Sequence, residues 1–104
     1  MANQVQRALV VDDVVDMAET IASDLRRAGF ETQVADSGAR SLELLARELF
    51  DVVVTDLRMK NVDGMDLLDA VKRVDSTVPV IIMTAFGGID SAVEAMRRGA
   101  YSYV

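Results

Sequence analysis

The chain has 104 residues, 51% of them hydrophobic and 27% charged, which supplies one small core and excludes the low-hydrophobicity composition of disordered chains. Its formal net charge of -6 repels phosphate backbones and anionic lipid, which argues against direct nucleic-acid or membrane binding. Neither cysteine nor histidine occurs, so disulfides, thiolate centres and the usual structural zinc ligands are excluded, and a cytoplasmic location is expected.

In chain order, the opening MANQVQRALVVDD carries an apolar run confined to residues 8–11, too short for a signal sequence or a membrane span. Runs of strand length and β-branched composition follow one another as RALVV, ETQVA, DVVVT, VPVIIM and YSYV. Helical spacing fills the gaps: Met17, Ile21, Leu25 and Ala28 in the first, then Leu42, Leu45 and Leu49. The third gap has Leu67 or Leu68 with Val71 and Val74, and the fourth Ile89, Val93 and Met96. Gly29 and Gly99 close the first and fourth helices, Gly38 and Gly64 stand near the starts of the second and third, and Pro79 enters the fourth strand. The runs Ala8 to Val11 and Val52 to Val54 are apolar without alternation, as in strands covered on both faces. Five strands alternating with four helices predict a parallel α/β sheet. The sequence reaches Val104 at the end of the fifth strand, so a helix covering one face is expected to come from a continuation of the natural chain or from elsewhere.

Ligands of open parallel sheets bind beyond the carboxyl ends of the strands. The first strand ends in Asp12 and Asp13, the third in Asp56 and the fourth in Thr84, so three carboxylates and a hydroxyl are expected on one rim. Crowded carboxylates repel and raise their own pKa values unless a cation offsets them. Few carboxylates, oxygen ligands and no EF-hand spacing point to Mg2+ rather than a closed calcium cage. Adjacent aspartates after a strand also serve simply as a helix cap and first-turn acid, and it is their coincidence with Asp56 and Thr84 that favours the site.

Over essentially its whole length the sequence resembles the receiver domain of a two-component response regulator. The resemblance rests on VVDD, DVVVTDLRMKNVDG, VIIMTAFG and AMRRGAYSYV in order. TDLRM and TAFGGIDSAVEAMRRGAY are most similar to receivers that precede ATPase and DNA-binding domains in NtrC-type enhancer-binding regulators. The resemblance implies a flavodoxin-like (CheY-like) three-layer sandwich with strand order 2-1-3-4-5, here a single domain over residues 1–104 whose final helix is missing. It implies Asp56 as phosphoacceptor and Asp13, Asp12 and the backbone carbonyl of Arg58 as Mg2+ ligands. Thr84 would bond a phosphoryl oxygen, and Tyr103 would be the switch aromatic that turns inward as Thr84 moves. Gly87 and Gly88 would keep the loop between them pliable. A histidine kinase or phosphotransfer protein is the implied donor and an output domain, of transcriptional type, the implied target. No enzymatic activity beyond Mg2+-dependent self-phosphorylation and slow self-dephosphorylation is implied.

Two departures stand out. Lys60 occupies a position usually held by proline, and the family's phosphate-pairing lysine falls beyond Val104. Among rivals, a nucleotide-binding enzyme lacks GxGxxG and GxxxxGK[ST], and a haloacid-dehalogenase phosphatase would need a second acid where Arg58 stands. The remaining alternative is a receiver-like interaction or dimerisation module that is not phosphorylated. A homodimer or an exchanged segment is expected to cover the face the missing helix leaves bare.

Overall fold

A computed structural model describes residues 5–84 and 88–104. Nine elements alternate: β1 (Arg7–Val11), α1 (Val15–Arg27), β2 (Glu31–Ala35), α2 (Gly38–Arg47), β3 (Val52–Asp56), α3 (Gly64–Val74), β4 (Val80–Met83), α4 (Ile89–Arg97) and β5 (Ser102–Tyr103). The strands form one parallel sheet in the order β2-β1-β3-β4-β5, as expected. β1 lies between β2 and β3, pairing Val11 with Ala35 on one side and with Thr55 on the other. That register is what carries Asp12 to the rim beside Asp56.

Alternation of side chains along the strands sends residues to two separate apolar layers. Leu9, Val11, Val53, Val80 and Ile82 pack with Leu44 of α2, Leu67, Leu68 and Val71 of α3, and Ala95 of α4. Val10 and Val54 face the other way, onto Ala18 and Ala22 of α1. Among the described residues, three helices therefore cover one face and α1 alone the other, where Ile81 and Met83 are only partly buried.

α3 buries Leu67, Leu68 and Val71 as the spacing predicted, but α1 and α4 contact the sheet through smaller residues. In α1 the fully buried positions are Ala18 and Ala22, while Met17 is 54% exposed. In α4 it is Ala95, with Ile89, Val93 and Met96 all exposed. A helix whose contact row is alanine approaches the sheet closely, and its larger neighbours are left on the shoulders. Leu49 lies past the end of α2 and, like Val74 in the last turn of α3, faces solvent.

The helix ends follow the expected chemistry. Ser37 caps α2 by accepting from the Arg40 N–H, and Asp63 and Asp66 form a reciprocal capping box on α3. Gly29 and Gly99 follow α1 and α4 with φ of 102° and 98°. Arg98, at the end of α4, pairs with Glu94 at 2.9 Å and reaches Asp69 of α3 at 3.1 Å. At the amino end of the sheet Arg7 pairs with Glu48, donates to the Leu49 carbonyl at 3.0 Å and lies over the Phe50 ring at 4.9 Å. Among the described residues no helix is long and apolar enough to cross a membrane.

Candidate functional site

At the carboxyl end of the sheet, Asp12 follows β1 directly, Asp13 comes next, and Asp56 is the last residue of β3. Their carboxylate oxygens lie within 4.8 Å of one another. Asp12 is 8% exposed, Asp56 half-buried and Asp13 exposed, so the cluster opens outward through Asp13.

Each acid is held by the backbone beside it. Asp12 donates its N–H to the Ala35 carbonyl at 3.1 Å, and its Oδ1 accepts from the Val14 N–H at 2.9 Å, closing a turn that aims the carboxylate at the rim. Asp56 Oδ1 accepts from the Leu57 N–H at 2.9 Å, and the Arg58 N–H also stabilises this carboxylate. Even so, the Asp56 pKa stands above the ordinary carboxylate range. Burial is the main cause, followed by the negative charge of Asp12 and, less, that of Asp13. The repulsion expected from the sequence is thus felt at Asp56. A donor set of three converging carboxylates with excess negative charge fits a hard divalent cation with oxygen preference.

The segment between β3 and α3 returns tightly to its origin, because the Gly64 N–H donates to the Leu57 carbonyl at 2.8 Å. A Cβ at Gly64 would lie 2.5 Å from the Asp56 carbonyl oxygen and 2.9 Å from the Leu57 Cα. The sequence marked this glycine as a helix start. Its second role, letting α3 press against the backbone of Asp56, has no signal in a single sequence.

Thr84 directly follows β4, its N–H donating to the Val104 carbonyl at 3.1 Å. It shares with Asp12, Asp56, Met17, Ile21, Met83 and Val104 the lining of a cavity of about 430 Å³ beside α1. Thr84, Asp12 and Asp56 thus border one cavity, whose remaining wall is apolar. Arg58 is exposed on the segment just after Asp56. Tyr103 lies farther off, on β5, packed against the core shared by α2, α3 and α4. Its hydroxyl is buried and has no hydrogen-bond partner among the described residues. The ring of Tyr103 thus points inward. Of the two loop glycines expected to be pliable, Gly88 caps α4 and Gly87 lies outside the described residues.

The family profile described as "Response regulator receiver domain" matches residues 8–104. The chain is similar to the transcriptional regulatory protein ZraR of Klebsiella oxytoca, 38% identical over 96 residues, covering 92% of this chain and 22% of that protein. It is also similar to the transcriptional regulatory protein GlrR of Escherichia coli K12, 38% identical over 104 residues, covering 100% of this chain and 23% of the relative. The chain thus spans less than a quarter of the length of these relatives, which are regulators of the NtrC type. Among solved structures, a response regulator receiver domain protein from Clostridium thermocellum superposes with a TM-score of 0.90 at 33% identity, covering 96% of this chain and 81% of that one. The receiver domain of NtrX from Brucella abortus does so with a TM-score of 0.86 at 34% identity, covering 93% and 82%.

Proposed function

The chain belongs to the response regulator receiver domain family, and from that membership we propose that it accepts a phosphoryl group on Asp56 from a histidine kinase or phosphotransfer protein in the cytoplasm. The observation that carries this reading is the convergence of Asp12, Asp13 and Asp56 within 4.8 Å at the ends of adjacent strands. In the transfer, a carboxylate oxygen of Asp56 forms the new bond to phosphorus as the bond from phosphorus to the donor nitrogen breaks, the electron pair leaving with that nitrogen. The Leu57 N–H holds Oδ1 and so fixes the plane in which the carboxylate presents itself.

Mg2+ held by Asp12, Asp13, Asp56 and the backbone carbonyl of Arg58 would neutralise charge on the phosphoryl oxygens. Thr84, on the wall of the same cavity, donates its hydroxyl to a phosphoryl oxygen of the modified aspartate. Tyr103 is the switch aromatic whose inward position accompanies the bond from Thr84 to the phosphoryl group, and the altered surface around α4 and β5 reaches an output domain of transcriptional type. Catalysis is confined to the chain's own phosphorylation and slow dephosphorylation. The apolar wall formed by Met17, Ile21, Met83 and Val104 is covered by a second copy or an exchanged segment.

Intact mass after incubation with Mg2+ and a small acyl phosphate tests the central step. Gain of one phosphoryl group by the parent and none by Asp56→Asn is expected. Equal labelling of both overturns the assignment of Asp56, and absence of uptake together with absence of Mg2+ binding leaves a docking module that is not phosphorylated.

A further inference from the structure

We infer that Gly38, on α2, is a positioning residue for the segment that follows Asp56 and carries Arg58, whose backbone carbonyl the proposed function assigns to Mg2+. The inference rests on the Mg2+-dependent phosphoacceptor reading above and extends it to a residue that touches neither metal nor phosphate.

Gly38 is buried at the first position of α2, and a Cβ there would lie 2.5 Å from both the Cβ and the carbonyl oxygen of Val62 and 2.7 Å from its Cγ1. Real Cβ atoms do not approach so closely, so any side chain at residue 38 displaces Val62 or α2. The α2 side of this contact is firmly held. The Ser37 hydroxyl accepts from the Arg40 N–H at 3.1 Å, and the buried Ser41 hydroxyl donates to the Gly38 carbonyl at 2.5 Å.

The segment on the other side is fixed at its ends, and between them Met59 packs against the core. Its start is the Asp56 carboxylate with the Leu57 N–H, and its close is the Leu57 carbonyl with the Gly64 N–H. Between these, Asn61 turns through φ 66° and Arg58 and Lys60 are exposed. Val62 is where the middle of the segment meets another element through a close contact. A Cβ on Gly38 would push it there, and the displacement would pass along a short closed loop to Arg58.

The test uses the parent, Gly38→Ala and Val62→Ala. Amide chemical shifts of residues 57–63 are recorded first without metal, then through a Mg2+ titration. In both variants the metal-free shifts of this segment change while those of β1 and β2 do not. Mg2+ binding weakens about tenfold in Gly38→Ala and about threefold in Val62→Ala, and saturating Mg2+ restores acyl-phosphate uptake to within about threefold of the parent. A merely structural role would lower uptake without recovery at high Mg2+. Should Gly38→Ala fail to fold, Val62→Ala, altered at a half-buried surface position, decides alone. A parent that binds Mg2+ no better than its variants do overturns the brace and leaves the receiver reading intact. A parent that binds no Mg2+ overturns that reading and the brace together.

Discussion

Asp56→Asn should stabilise the metal-free fold. Carboxylate oxygens at the 4.8 Å upper bound of the cluster repel by about 3.5 kcal/mol per charge pair at an effective dielectric near 20 and by about 0.9 kcal/mol in water. Asp56 faces the buried Asp12 and the exposed Asp13, so the first figure suits one pair and the second the other. Screening at a half-exposed group removes a large part of this, which leaves a gain of roughly 2 kcal/mol. For a domain of this size that is roughly 10 °C in Tm. The asparagine keeps an oxygen for the Leu57 N–H, so little is lost in exchange.

The pH dependence has a definite sign. Because the folded-state pKa of Asp56 is raised, the folded parent binds more protons than the unfolded chain between the ordinary carboxylate range and that raised value. The parent therefore loses stability as pH rises through this window, and the variant does not. Thermal denaturation in EDTA from pH 3 to 8 should show the two converging in acid and the variant ahead at neutral pH. Saturating Mg2+ should narrow or reverse the gap by binding only the folded parent tightly. A variant that is no more stable than the parent at neutral pH without metal would refute repulsion within the cluster.

Three further outcomes follow from local contacts. Tyr103→Phe removes a buried hydroxyl with no partner among the described residues and should stabilise the inward ring by about 1 kcal/mol, measured by urea denaturation. Gly64→Ala drives a Cβ into the Asp56 carbonyl and the Leu57 Cα, two backbone positions that cannot swing aside, and should cost about 3 kcal/mol in the same assay. Ala22→Leu, at the fully buried contact of α1 with the sheet, should cost about 1–3 kcal/mol in Tm measurements by overpacking.

The strands and the acids at their ends were legible because each depends on a local pattern. Uninterrupted apolar runs marked β1 and β3, and a carboxylate at the end of each needs only the parallel arrangement to meet its neighbour. The buried faces of α1 and α4 were less legible. Spacing by large apolar residues selected Met17 and Ile89, whereas Ala18, Ala22 and Ala95 carry the contact. Close helix–sheet approach favours small side chains, which weigh little in a periodicity count. The crowding of Gly38 by Val62 joins residues far apart in sequence through backbone geometry, and no composition or spacing announces it. Likewise Tyr103 reads as a strand aromatic, and only packing shows its hydroxyl enclosed.

The adjacency of β1 and β3 also governs when, during folding, the acidic cluster comes into being. Asp12 and Asp56 are more than forty positions apart and meet only through the pairing of Val11 with Thr55. Neither β2 nor β5 takes part in that encounter, so a refolding chain acquires its charge conflict at one event, the docking of β3 on β1. Loop closure opposes that event, and so does the charge it brings together. A divalent cation held by these carboxylates, as proposed, would act only after this docking, as a brake on its reversal.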